Sequence, residues 1–262
     1  MRANQNIGMS TFAVMDLPLV QGMDALMNEG FTNIEIMCEG NGLECLDWSL
    51  EQMLAIASWS DISITIHAPI KNCNPASDDP TIRETSLTLL KKCLHLAEMW
   101  NSPYVLMHLG EHEDQEKGLK NCIHFIEEIS QYIPLGTKLV LENVPPKNNL
   151  IGVTAKELVQ VCSHFQSEKV GVVFDVGHAN LVHLEYPVEG LKEVLPWLVG
   201  LHVSDNFGQD DNHNLVGEGT VPIVELLKMI EDCKQEVSII LEMRNVEDGV
   251  RSREVLFSGL GV

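Results

Sequence analysis

The chain has 262 residues, with 38 acidic against 17 basic side chains and a formal net charge of −21 at pH 7. This charge repels phosphate backbones and leaves few basic contacts for them, which argues against a nucleic-acid substrate without excluding one. No run approaches the ~20 apolar residues that a membrane-spanning helix needs, and no secretory signal peptide is recognisable. We therefore expect a soluble cytoplasmic protein without a membrane partner.

Eight short apolar runs alternate along the chain with helix-like stretches. The runs cover residues 7–12, 32–37, 62–66, 104–107, 138–141, 170–174, 198–201 and 237–241. Continuous apolar runs of this length are typical of strands buried on both faces. The helix-like stretches cover residues 19–28, 48–59, 81–100, 113–132, 155–164, 188–195, 221–232 and 248–257.

Eight alternating units predict an α/β fold, a single (β/α)8 TIM barrel with its active site at the C-terminal ends of the strands. The length is close to the ~250 residues typical of this barrel. No linker, charge block or short-period repeat indicates a second domain. We therefore expect residues 1–262 to form one barrel domain.

The seven cysteines are an odd number and include no Cys-x-x-Cys pair. This pattern is unlike a disulfide framework or a thiolate zinc site. We expect reduced thiols that serve in ordinary packing or lie at the surface. They are Cys38, Cys45, Cys73, Cys93, Cys122, Cys162 and Cys233.

Six of the apolar runs stop at a side chain that can bind a metal ion. These residues are His67, His108, Glu142, Asp175, His202 and Glu242. Each interval is long enough for one helix and a return to the next strand, so the six side chains are expected to meet at one barrel mouth. The alternative is that strand-end carboxylates are solvated or cap the next helix.

Among these residues, Glu142, Asp175, His202 and Glu242 form an oxygen-rich set that suits Mn²⁺, Mg²⁺, Co²⁺ or Zn²⁺. Three further candidate ligands lie in segments that follow the sixth and seventh strands: His178, Asp211 and His213. Histidines near a metal orient its ligands as often as they bind it, so one to three ions per chain stay open.

Two residues are candidates for substrate binding. Glu35 is expected to end the second strand and to bind a sugar hydroxyl, with a barrel-bottom or solvated carboxylate as the alternative. Arg244 lies two positions past Glu242, on the same side of an extended chain, and is placed to hold a phosphate or carboxylate. A helix cap or a salt bridge is the alternative for Arg244.

Several motifs of the chain resemble the xylose isomerase-like barrel superfamily, which includes sugar phosphate isomerases/epimerases and endonuclease IV. The motifs are Ile66-His67-Ala-Pro, Leu141-Glu142-Asn, Phe174-Asp175-Val-Gly-His178-Ala-Asn, the segment from His202 to His213, and Gly217-Glu-Gly219. The resemblance covers nearly the whole chain. Its combined motifs are specific to the superfamily but not to one reaction.

The ketose epimerase branch implies a metal held by Glu142, Asp175, His202 and Glu242, and a proton exchanged by the catalytic residues Glu142 and Glu242. Endonuclease IV implies a three-zinc site instead. Its nine ligand positions match His67, His108, Glu142, Asp175, His178, His202, Asp211, His213 and Glu242.

The endonuclease pattern also places an aromatic residue soon after the first ligand histidine and arginines beside the Asp-x-His pair, which help to hold a distorted duplex. Here residues 68–72 read Ala-Pro-Ile-Lys-Asn, and no arginine flanks Asp211-Asn-His213. We therefore expect a divalent-metal-dependent sugar or sugar-phosphate isomerase/epimerase that acts through a metal-stabilised enediolate. A zinc-dependent phosphodiesterase acting at abasic sites and a noncatalytic metal-binding barrel remain alternatives, and the oligomeric state stays open.

Overall fold

Eight parallel strands form a closed barrel in sequence order, and the last strand pairs with the first. The computed structural model describes residues 7–232 and 236–259. The strands in this part of the chain are β1 Ile7–Ser10, β2 Asn33–Met37, β3 Ser63–His67, β4 Tyr104–Met107, β5 Lys138–Glu142, β6 Val170–Asp175, β7 Leu198–Val203 and β8 Ser238–Leu241. The structure confirms the expected (β/α)8 TIM barrel.

Helices surround the barrel and connect its strands. In the described ranges they are α1 Leu19–Asn28, α2 Leu50–Ala57, α3 Pro80–Trp100, α4 Gln115–Ile129, α5 Ala155–Cys162, α6 Val176–Asn180, α7 Tyr186–Val194, α8 Ile223–Asp232 and α9 Val246–Gly259. Each expected helix is present, with ends that differ by a few residues from the sequence pattern. Since both helix and strand patterns end gradually in sequence, such differences are ordinary.

Two local features differ from the expectation. The first strand ends at Ser10 because the Ser10 hydroxyl accepts a hydrogen bond from Phe12 N at 3.2 Å and begins a 3-10 turn over Thr11–Val14. The segment after β6, which lies outside the eight helix-like stretches of the sequence, is the short helix α6. It forms because the Asp175 carboxylate accepts a hydrogen bond from His178 N at 2.6 Å and so caps the first turn.

The core has two parts, as the alternation of side chains along a strand requires. The larger part packs the outward faces of the strands against the helices, with Val105, Leu139 and Phe174 among its fully buried members. A separate small cluster contains Tyr104, Leu106, Val140 and Val173. These residues share a face with the polar residues at the ends of β4, β5 and β6, so the small cluster fills the barrel interior below the mouth.

The helices and the cysteines of the described residues bear on the expectations about membranes and thiols. Within residues 7–232 and 236–259, no helix has both the length and the apolar character needed to cross a membrane. Six of the cysteines are free and buried: Cys38, Cys45, Cys73, Cys93, Cys122 and Cys162. The seventh, Cys233, lies outside the described residues.

The longest helix, α3, supplies a test of the local folding signals. The Asp79 carboxylate accepts hydrogen bonds from Thr81 N at 2.7 Å and Ile82 N at 3.4 Å, and Pro80 occupies the first helical position. We expect Asp79→Ala to lower the free energy of unfolding by roughly 1 kcal/mol, because these amides lose their acceptor. Asp79→Asn retains an acceptor and should keep most of the stability. Equal urea midpoints for the alanine variant and the parent would contradict the capping role.

Candidate active site and metal centre

The six strand-end side chains named from the sequence come together at the mouth of the barrel. They lie at or directly after the carboxyl ends of β3 to β8, where alternation points them into the barrel interior. Five of them are almost completely buried, and His108 is half-buried. The chain therefore gathers carboxylates and imidazoles in a place with little access to water, where ionised groups need partners.

The first group, which we call the strand-end group, consists of Glu142, Asp175, His202 and Glu242. One ligand atom from each residue lies within 4.8 Å of the others. His202 Nδ1 is 2.7 Å from Glu142 Oε1 and 3.9 Å from Glu242 Oε2. The four residues come from β5, β6, β7 and the end of β8, so the group stands on four neighbouring strands.

Buried polar atoms in the strand-end group lack hydrogen-bond partners among the described residues. These atoms are Glu142 Oε1, Asp175 Oδ2 and both ring nitrogens of His202. Buried polar atoms in proteins nearly always have a hydrogen-bond partner. The atoms of this group face each other at close range without aligned hydrogen bonds, so they need another partner. Carboxylate oxygens and an imidazole nitrogen fit a divalent cation in that role.

A second group, His67, His108 and Glu142, adjoins the strand-end group. Its ligand atoms also lie within 4.8 Å of one another. Glu142 Oε2 is 2.8 Å from His108 Nε2 and 3.3 Å from His67 Nε2. Since the other oxygen, Oε1, faces His202, the Glu142 carboxylate joins the two groups.

A third group, His178, Asp211 and His213, meets at one carboxylate oxygen. Asp211 Oδ2 is 3.3 Å from His178 Nε2 and 3.4 Å from His213 Nε2. Asp211 and His213 belong to the long loop between β7 and α8 rather than to a strand end. His213 has a φ of 49°, a left-handed conformation that a residue other than glycine adopts only when its surroundings hold it.

Hydrogen bonds within the β7–α8 loop and from β8 hold the third group in place. The buried Asp205 carboxylate accepts from Gly217 N at 2.9 Å and from Val221 N at 3.0 Å. Gly219 packs so closely that a Cβ there would be 2.2 Å from a backbone oxygen of the loop. Arg244 Nε donates to the Asn212 carbonyl at 2.8 Å and Nη2 donates to the Asp211 carbonyl at 3.2 Å. Loop packing therefore sets the positions of Asp211 and His213.

Backbone carbonyls fix the rings of three histidines. The contacts are His67 Nδ1 to Ala68 O at 2.8 Å, His178 Nδ1 to Asn143 O at 2.9 Å, and His213 Nδ1 to Glu242 O at 2.9 Å. A carbonyl only accepts hydrogen bonds, so Nδ1 donates in each case and Nε2 faces the carboxylates as a free ligand atom. His202 has the reverse orientation, because its Nε2 lies 2.8 Å from Glu35 Oε1 and its Nδ1 faces the strand-end group.

The charges in the mouth shift the pKa values of its groups strongly. Burial opposes charge on His67, but the hydrogen bond and charge of Glu142 outweigh it and raise the pKa to about 8. Burial likewise opposes charge on His178 and His213, while Asp175 raises the former pKa to about 10 and Asp211 the latter to about 9.

The carboxylates of the strand-end group respond to burial and to their neighbours in opposite ways. Burial raises the pKa of Asp175 to about 6. Burial also works to raise the pKa of Glu142, but His202 and the other facing histidines hold it well below its usual range. In the absence of a cation, protons on the histidines therefore balance much of the negative charge.

Glu35 lies deeper than the sequence suggested. It is the third of the five residues of β2, not the strand end, and it is completely buried. One oxygen faces His202 and the other accepts from Tyr104 Oη at 3.1 Å. The expected place at the strand end is therefore wrong, whereas a contact with a sugar hydroxyl stays a prediction for this residue.

Arg244 is exposed, and two of its donors hold the loop carbonyls of Asp211 and Asn212. The structure thus gives it a loop contact that the sequence did not indicate. A contact with a phosphate or carboxylate group of a substrate stays a prediction for this residue.

Asn143 is a further buried residue of the site, and the sequence analysis predicted no role for it. Its Nδ2 donates to Asp175 O at 2.8 Å, and its Oδ1 accepts from Asp175 N at 2.8 Å. These two bonds tie the end of β5 to the end of β6 and so set the spacing of Glu142 and Asp175. The only sequence signal was its place directly after Glu142.

Sequence comparison finds relatives along most of the chain. An uncharacterized protein of Methanocaldococcus jannaschii is 26% identical over 97% of this chain and 88% of its own length. A probable endonuclease 4 of Natranaerobius thermophilus is 30% identical over 60% of this chain and 61% of its own. A fructoselysine 3-epimerase of Escherichia coli O157:H7 is 24% identical over 74% and 73%.

Among solved structures, a D-tagatose 3-epimerase-like protein superposes with a TM-score of 0.87 and 26% identity, covering 97% of each chain. Endonuclease IV from Thermus thermophilus shares the fold at a TM-score of 0.71 and 18% identity, covering 97% of each chain. These likenesses support an enzyme and, at the level of the family, a sugar isomerase or epimerase. The family model described as xylose isomerase-like TIM barrel matches residues 23–257, and the chain therefore belongs to that family.

Proposed function

We propose that the protein is a divalent-metal-dependent isomerase or epimerase of a small sugar or sugar phosphate. The observation that carries the proposal is the pair of buried carboxylates Glu142 and Glu242, which reach one pocket from β5 and from the end of β8. Each is placed to exchange a proton with a substrate between them. The full-length likeness to a D-tagatose 3-epimerase-like protein supports the same reaction class.

In this mechanism one glutamate removes the proton next to the substrate carbonyl and the other returns a proton to the enediolate. A bound divalent cation would polarise the carbonyl and offset the charge of the enediolate. Burial keeps water away from both glutamates, which protects the proton from exchange with solvent. His202 Nδ1 lies between the two carboxylates, 2.7 Å from Glu142 Oε1 and 3.9 Å from Glu242 Oε2.

We assign the candidate ligands to the three groups described above, so that one to three Mn²⁺, Co²⁺, Mg²⁺ or Zn²⁺ ions bind per chain. The strand-end group is the strongest candidate, since it is buried and stands on the rigid barrel. Placement of residues 1–262 in one domain, and a cytoplasmic location, also stay predictions.

A second candidate function is zinc-dependent phosphodiester hydrolysis. It is favoured by the third group, since simple proton exchange at the strand-end group does not need His178, Asp211 and His213. The similarity to a probable endonuclease 4 also supports phosphodiester hydrolysis. Against it stand the net charge of −21 and a sequence without arginine in the residues that directly flank Asp211-Asn-His213.

The first test of function replaces a proposed proton carrier. We expect Glu142→Gln to abolish interconversion of ketoses or their phosphates, because an amide cannot accept the proton. Glu39→Gln is the matched control, since Glu39 is also buried and its Oε1 accepts from Ile70 N and Lys71 N, away from the strand-end group. Activity is followed as interconversion of the ketoses or their phosphates, separated by chromatography, across a panel of metals.

The same panel includes a duplex that carries an abasic site. Incision of this duplex by the zinc-loaded parent, together with no turnover of any ketose, would overturn the isomerase proposal in favour of the hydrolase. Unchanged ketose turnover by Glu142→Gln would exclude the proposed proton exchange itself.

The second test separates the third group from the strand-end group. We expect Asp211→Asn to lower the bound metal by about one ion per chain while ketose turnover persists, because the amide is a poor ligand and the strand-end group is untouched. The neighbouring exposed Asp210→Asn should change neither quantity. Metal content is measured by atomic emission after dialysis. Loss of all activity in Asp211→Asn would instead indicate that the third ion takes part in the reaction.

The third test uses pH. The folded-state pKa values of His67, His213 and His178, about 8, 9 and 10, lie above the ~6.5 of an unperturbed histidine. Their protonation thus stabilises the metal-free fold fully below about pH 6.5, and this contribution is lost as the pH rises through the folded values. In a chelator we expect the urea midpoint to fall between pH 7 and pH 9.

Divalent cation should remove most of this fall, because the ion takes the place of the protons on the same nitrogens. The measurement is tryptophan fluorescence in urea with and without saturating Mn²⁺. A midpoint in chelator that stays constant over this pH range would contradict the protonated histidines.

A further inference from the structure

The Glu35 carboxylate is a buried charge that the proposed reaction does not use. It is 0% exposed, and its Oε1 lies 2.8 Å from His202 Nε2. Its Oε2 accepts hydrogen bonds from Tyr104 Oη at 3.1 Å and from Thr65 Oγ1 at 3.4 Å. Three consecutive strands, β2, β3 and β4, therefore combine to hold one carboxylate against one imidazole.

The contact between Glu35 and His202 crosses the barrel. The strand order is β1 to β8 around a closed ring, so β2 and β7 are not neighbours. Glu35 pairs in register with Thr65 on β3, and both side chains face the interior. His202 is likewise completely buried. The carboxylate thus reaches the back of the imidazole through the barrel interior, from a strand that β1 and β8 separate from β7.

Burial of this carboxylate is costly, since an ionised group taken out of water costs several kcal/mol unless it is paired and hydrogen-bonded. An apolar side chain would fill the same space at less cost. The other interior residues at this depth are mostly apolar, as in the cluster of Tyr104, Leu106, Val140 and Val173. Among the described residues, Glu35 forms its ion pair with His202, a candidate metal ligand, which points to a role through that ligand.

We propose that Glu35 is a positioning residue that holds the His202 ring with Nδ1 toward the strand-end group and thereby strengthens its binding of a divalent cation. The contact with Glu35 is a close charge contact and not an aligned hydrogen bond, and it favours a proton on Nε2. Nδ1 then keeps a free lone pair toward Glu142 and Glu242. Tyr104 and Thr65 keep the carboxylate itself from turning away. The inference rests on the proposed metal site but is independent of which reaction that site performs.

The experiment measures binding of Co²⁺ alone, with no substrate, by competition with a chromophoric chelator. We expect Glu35→Gln to weaken Co²⁺ binding about 10- to 100-fold and to change the visible spectrum of the bound ion, because the ring loses its charged partner. Tyr104→Phe, which removes one donor to Glu35 but leaves the contact with His202, should weaken binding less. Glu39→Gln is the matched control and should bind Co²⁺ like the parent.

Binding and spectrum unchanged in a folded Glu35→Gln variant would overturn the proposal. If that variant fails to fold, Glu35→Asp decides the question, because it keeps a buried acid but withdraws the carboxylate from His202 Nε2. Parent-like Co²⁺ affinity in Glu35→Asp would equally overturn the proposal. Failure of the protein to turn over any sugar would leave these readouts intact, so the two proposals fail separately.

Discussion

Repulsion between buried carboxylates is the constraint on which the mouth of this barrel depends. Glu142, Asp175 and Glu242 lie within one pocket, and Glu35 lies directly beneath it. Like charges at this distance in a place with little water cannot coexist without positive charge among them. In the metal-free site, protons on the facing histidines supply this positive charge. In a metal-bound site, the divalent cation would supply it. The barrel holds the carboxylates in place because each of them belongs to a different strand, and the paired strands fix their separations.

The fold could be predicted from the sequence because parallel strands that are covered on both faces have continuous apolar sequences. The same property located much of the mouth. A polar residue at the end of such a run, as at His67, Glu142 and Asp175, interrupts a pattern that burial otherwise enforces. All six strand-end residues indeed converge, although their metal binding has still to be measured.

Other features needed the three-dimensional structure. Side chains of a strand alternate between two faces, but alternation does not state how deep a residue lies, so Glu35 was placed at the mouth rather than below it. The contacts of Arg244 depend on how the loop before α8 folds back over β8, which no local pattern encodes. The Asn143 side chain acts through two hydrogen bonds to the backbone of Asp175 on the next strand. The sequence alone does not indicate which side chain bonds to which strand.

The shared position of Glu142 has a consequence for chemistry. Its Oε1 faces His202, while its Oε2 faces His67 and His108. Cations held in both groups would lower the basicity of the Glu142 carboxylate, so a fully loaded centre would leave this residue a poor base for a substrate proton. The number of ions present would then select between two kinds of catalyst built from the same side chains.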